Sequence, residues 1–113
     1  MRRDDAYLLD MLIAARDAVA FVAGLTQEQF QASRIHQLAV LKALETIGEA
    51  AARLSEQTRA SHPEIPWREI IGMRHRIVHG YFEVDLWKVW DTIHEDLPPL
   101  IASLEMIVPP EES

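Results

Sequence analysis

RIHQLAVLKALETIGEAAARLSEQT, residues 34–58, carries Val40, Ala43, Leu44, Ile47, Ala50, Ala51 and Leu54 at the spacing of one helical face. A second apolar strip, Leu38, Leu41 and Ala52, runs round its side. That is more apolar coverage than a one-sided surface helix needs, so this helix is either central to a bundle or lies at a subunit interface. Ser33 precedes it as a candidate cap.

The same period continues in both directions, without the alternation a strand would show. Upstream, a helix is expected from about Asp4 to Ala23, with Leu8, Leu12, Val19 and Val22 on one stripe, Leu9 and Ile13 beside it, and Gly24 ending it. Thr26 and Gln29 have capping-box spacing for a short helix or turn. Downstream, residues 62–66 read as a loop, and Pro66 suits the first turn of a third main helix that runs to about Val78 and stops at Gly80. Asp85 can cap a fourth, whose residues Leu86, Trp90, Ile93, Leu97, Leu100, Ile101, Leu104 and Ile107 hold one phase through Pro98-Pro99. The prolines remove backbone bonds and should bend this helix rather than end it. The expected fold is all-α: an up-down bundle of four main helices with an additional short one, the last helix kinked at Pro98-Pro99. Residues 1–108 form one domain and 109–113 a tail.

With 113 residues the chain has room for one core. It contains no cysteine, which removes disulfides, thiolate metal sites and cysteine nucleophiles, and makes the cytoplasm the default compartment. Asp10, Arg16 and Asp17 interrupt the N-terminal apolar run, so neither a signal peptide nor a membrane span is expected. The net charge of −7 argues against a general nucleic-acid coat. The balance reverses locally between Pro66 and Gly80, where Arg68, Arg74 and Arg76 face Glu69 alone.

On a regular helix, with Ile70 at zero, the apolar arc of Ile70, Ile71, Met73, Ile77, Val78 and Tyr81 centres near about 20° and Arg74 falls inside it at about 40°. An arginine there must be paired, because an isolated buried charge is costly. Glu45 or Glu49 could supply an internal salt bridge. Alternatively the guanidinium is a bidentate clamp for an anion or meets a second subunit. His75 and His79 lie at about 140° and about 180°, adjacent at i, i+4 and away from the arc. They read as surface histidines, or as two ligands of a metal site that lacks the glutamate of H-E-x-x-H and a third ligand. Arg74 and His79 are about 140° apart on one helix and cannot readily converge on one phosphate. Either the helix unwinds toward Gly80, or two copies meet across a dimer axis. The extra apolar strip of residues 34–58 favours the dimer. Trp67, Trp87 and Trp90 could stack bases, though their helical positions favour core packing.

MRHRIVHGYF, residues 73–82, resembles the R-x4-H-x-Y signature of HepT-like toxins, a branch of the HEPN superfamily of helical ribonucleases. Arg74, His79 and Tyr81 match in type and spacing, and the resemblance extends to IGEAA at 47–51, PWREIIGMR at 66–74 and WDTIHEDLPPL at 90–100. It implies a metal-independent endoribonuclease, with no cofactor, that acts as the toxin of a toxin–antitoxin pair and builds its cleft from two motifs at a homodimer interface. Arg74 and His79 would be catalytic, and His75 and Tyr81 supporting. Tyr81 would also be the residue to which a nucleotidyltransferase antitoxin adds AMP, placing negative charge beside Arg74. Such chemistry needs a base for the 2′-hydroxyl, a cation for the phosphorane and an acid for the leaving 5′-oxygen, roles that suit an imidazole and a guanidinium. One position departs from the pattern: His75 stands where a small polar residue, most often asparagine, usually follows the motif arginine. The alternative reading is a non-catalytic helical dimer that binds a nucleotide or a partner protein.

Overall fold

Asp4 and Asp5 in its first turn favour the start of helix α1 (Arg3–Phe21), and Gly24, at φ +82°, lets the chain turn back after it. Both features belong to a computed structural model that describes residues 3–80 and 84–109. The remaining helices are α2 (Gln27–Ala32), α3 (Arg34–Arg53), α4 (Glu56–Ser61), α5 (Trp67–His79), α6 (Leu86–Asp91) and α7 (Leu97–Ile107), with a π turn (Thr92–Asp96) joining the last two. No strand occurs among the described residues, and no helix there is long and apolar enough to cross a membrane. The fold is the expected all-α bundle. Its four main members are α1, α3, α5 and the run from α6 through α7. α3 is central, packing against α1 on one side and α5 on the other, while α7 closes over α1.

The predicted caps form. Thr26 Oγ1 accepts from the Gln29 amide at 3.1 Å while Gln29 Oε1 accepts from the Thr26 amide at 2.8 Å, a reciprocal box at the start of α2. Ser33 Oγ accepts from the His36 amide, and Asp85 Oδ1 from the amides of Trp87 and Lys88. The main face of α3 is buried in full, from Val40 to Leu54, against Leu8, Met11, Leu12, Ala15 and Ala18 of α1 and Ile70 and Ile77 of α5. Each large side chain sealed in this way contributes about 1.5–3 kcal/mol.

Two expectations change, and the adjustment at the prolines takes a specific form. The second main helix, expected to reach Thr58, ends at Arg53: Leu54 turns extended (ψ 148°) and Ser55 starts α4. The cause lies far away in sequence. Asp4 of α1 accepts from Ser55 Oγ at 2.6 Å, from the Ser55 amide and from Thr58 Oγ1, holding Ser55 as a cap. Replacing Ser55 by alanine is expected to cost about 1 kcal/mol, measured as a lowered denaturant midpoint with unchanged slope; an unchanged midpoint would mean that the cap does not hold the break. The prolines of the last helix are accommodated ahead of themselves. Their rings would crowd the carbonyls of His94 and Glu95 in an α-helix, and the turn there widens instead, with the Leu97 amide bonding to Thr92 O in a π turn. Finally, Trp67 and Trp90 pack against the core, but Trp87, one position off the Leu86–Trp90–Ile93 stripe, is 53% exposed. Of the side strip of α3, Leu41 is buried whereas Leu38 and Ala52 stay exposed; Ile35, nearby on the same helix, is 78% exposed.

Candidate active site

Helix α5 carries the basic motif, and its start is fixed to α4: the Trp67 indole donates to Arg59 O at 2.9 Å and to His62 O at 3.0 Å. From there the helix runs without interruption through His79. Gly80 then closes it, its amide donating to Arg76 O at 2.9 Å. The helix therefore does not unwind to bring His79 round toward Arg74.

Arg74 lies in the seam between α5 and α3. Its side chain passes so close to Gly48 that a Cβ there would lie 2.3 Å from Arg74 Cβ and 3.0 Å from Ile70 O. Gly48 is thus the one residue type that lets the two backbones approach at this level. The side chain is half-buried, and its Nε is buried with no hydrogen-bond partner. The salt bridge considered for it is absent: Glu45 faces Lys42 at 3.9 Å, and Glu49 accepts from Arg53 at 3.0 Å. Among the described residues no carboxylate pairs with Arg74.

His75 and His79 are exposed, with nearly parallel rings (8°) and centroids 6.0 Å apart. They share a side of α5 in an offset, parallel arrangement. No group of three potential metal ligands occurs among the described residues, so this pair has no third ligand there. His79 also lines a cleft of about 1030 Å³ between α5 and the α6–α7 run, whereas Arg74 does not. Tyr81 lies outside the described residues. Of the motif, then, α5 sets His75 beside His79, while Arg74 packs against Gly48 of α3 and stays outside the lining of the cleft.

Two residues of this region have roles that spacing did not expose. Gly48 sits mid-helix, where glycine costs about 1 kcal/mol relative to alanine, and that unfavourable choice was the available signal of a close approach. Arg76 joins His79 in the cleft; on the wheel it looks like an ordinary solvated position.

Comparison with known proteins places these features in a family. Residues 11–107 match the family described as Ribonuclease HepT-like. The chain is 39% identical over 101 residues to a protein named "Probable ribonuclease HepT" from Thermococcus cleftensis, spanning 89% of this chain and 92% of that one. It is 32% identical over 102 residues to a relative from Methanocaldococcus jannaschii, named only as a candidate RNase, spanning 90% and 94% of the two chains. Another candidate RNase, from Caldanaerobacter subterraneus subsp. tengcongensis, is 32% identical over 112 residues, 99% of this chain and the whole of that one. No solved structure matches the chain at a significant level. The match covers both Gly48 and the Arg74–His79 segment, and the chain belongs to the HepT-like family of the HEPN superfamily.

Proposed function

We propose that the protein is an endoribonuclease whose reactive cleft is built from two copies of the α5 motif. The observation that carries this reading is Arg74, a cation held in an apolar seam with a buried, unpartnered Nε and no carboxylate beside it. A guanidinium with no carboxylate beside it is free to grip an anion, and an RNA phosphate is such an anion. The names of the relatives point to the same substrate class.

In the proposed reaction the 2′-hydroxyl oxygen attacks the adjacent phosphorus and the bond from phosphorus to the 5′-oxygen breaks. One imidazole removes the 2′-proton and another gives a proton to the leaving oxygen, leaving a 2′,3′-cyclic phosphate and a 5′-hydroxyl. Arg74 stabilises the charge on the equatorial oxygens. His79 has the exposure this needs, and the parallel His75 is a second imidazole on the same side. Arg74 and His79 stand about 140° apart on a regular helix, and only His79 lines the cleft; on this reading the reactive site combines Arg74 of one copy with His79 of another. Exposed Ile35 and Leu38 offer apolar surface for such a dimer.

The protein acts, on this reading, as the toxin of a toxin–antitoxin pair in the cytoplasm, silenced when a nucleotidyltransferase adds AMP to Tyr81. The adenylate phosphate would compete for Arg74. In sequence Tyr81 stands two residues beyond His79. The purified chain is expected to cut RNA in the presence of chelator and to leave 2′,3′-cyclic phosphate ends, read by end-labelling and mass spectrometry. Cleavage lost on chelation and restored by a divalent ion would overturn the metal-independent mechanism. Nucleotide or partner binding with no turnover would favour the non-catalytic dimer.

A further inference from the structure

The cleft that His79 lines has an apolar floor, formed by Ile65, Ile70, Ile77, Val89, Leu97 and Leu100. Its polar rim is unbalanced: Glu64, Glu69, Asp85, Glu95 and Asp96 against Arg76 and Lys88. Glu95 and Asp96, together with Thr92, are presented by the π turn, so the widening ahead of Pro98-Pro99 shapes one wall. Among the described residues, Glu69, Glu95 and Asp96 have no ion-pair partner, which leaves their charge directed at whatever enters.

We propose that this cleft is a docking groove for a basic amphipathic segment of a partner protein. Charge decides between the candidate occupants. On the ribonuclease reading one RNA phosphate reaches His79, but a strand laid along the cleft would meet a rim that is already net negative. A second copy of this chain, which on the ribonuclease reading meets His79 through its Arg74, carries a net charge of −7 and so does not suit the rest of the acidic rim. A helix with an apolar stripe flanked by lysines or arginines meets both the floor and the rim. The volume, about 1030 Å³, matches roughly two turns of a helix about 10–12 Å across. A segment seated there covers the cleft side of His79. This consequence rests on the proposed ribonuclease reading, and it gives a protein partner a steric way to inhibit that is independent of Tyr81.

The test uses the whole chain and a short synthetic amphipathic helix, with leucines on one face and lysines flanking them, followed by titration calorimetry and by amide chemical shifts. The probe is expected to perturb the cleft residues. The variant Glu69→Gln/Glu95→Gln/Asp96→Asn is expected to weaken it about tenfold or more. Asp10→Asn/Asp17→Asn/Glu28→Gln, which removes equal charge elsewhere, should change binding less than about twofold. A leucine–glutamate counterpart should not bind. Equal weakening by both triple variants, or equal binding of the acidic counterpart, would overturn the proposal. So would a cleft variant that alters the oligomeric state of the chain, or one that alters its affinity for single-stranded RNA. Binding is read without turnover, so the groove stands or falls separately from the ribonuclease reading: a chain that docks the probe in the cleft yet never cuts RNA refutes only the latter.

Discussion

Replacing Gly48 by alanine is expected to destabilise the protein by about 2 kcal/mol net, a fall of about 10 °C in melting temperature. Two effects oppose each other. Alanine favours a helix interior by about 1 kcal/mol over glycine. Against this, the new Cβ would meet Arg74 Cβ at 2.3 Å and Ile70 O at 3.0 Å, whereas carbon atoms rest at about 3.5–4.0 Å. Both obstacles sit on or next to the α5 backbone, so a rotamer change cannot relieve them and α3 and α5 must separate. Overpacking of this kind costs about 1–3 kcal/mol and can cost more, which outweighs the propensity gain. Gly72 provides the contrast. A Cβ there meets only the flexible end of Arg76, at 3.6 Å, so Gly72→Ala is expected to stabilise by up to about 1 kcal/mol. Thermal melts of the two variants should shift in opposite directions. A shift of the same sign in both would mean that the α3–α5 seam is not as tight as described.

The second large effect concerns turnover. His79→Ala and Arg74→Ala are each expected to reduce RNA cleavage about a thousandfold, the scale of losing a proton-transfer group or a preorganised donor to a developing charge. Arg74→Lys should not restore it, because an ammonium lacks the planar fork that grips two phosphate oxygens. The stability readout separates this account from a structural role. His79 is exposed, and Arg74 has no ion-pair partner among the described residues. His79→Ala should therefore leave the melting temperature unchanged, and Arg74→Ala should lower it only slightly, through lost packing of its stem against α3. Were Arg74 instead one half of a buried ion pair, its removal would cost about 3–5 kcal/mol. A large drop in melting temperature would place it in the scaffold rather than the site.

The parts of this protein legible from sequence are those whose causes are local. The stripe from Val40 to Leu54, the Thr26–Gln29 box and the caps at Ser33 and Asp85 each depend on residues within a few positions, and all are present as read. The break at Ser55 was hidden because the apolar period continues through it while the deciding partner, Asp4, is 51 residues away. The π turn was hidden for a different reason. Continuity of an apolar stripe does not distinguish a bend at two prolines from a widened turn before them.

At the site, residue types and spacing were legible, but the approach that sets Arg74 was not. A helical wheel places the arginine among apolar neighbours and cannot say whether a carboxylate awaits it. Glu45 and Glu49 were within plausible reach, yet each faces a cation of its own helix instead. The cleft beside His79 depends on how α5 sits against the α6–α7 run, which no single-helix pattern encodes.

The central claim is that Arg74 and His79 act from different copies of the chain. It is tested most directly by mixing the two inactive variants, Arg74→Ala and His79→Ala, and following RNA cleavage while native mass spectrometry reports the mixed dimer. Each mixed dimer retains one intact Arg74 and one intact His79, on opposite subunits. The account predicts that cleavage returns in proportion to the mixed species. Mixed dimers that form and remain as inactive as either parent would contradict it.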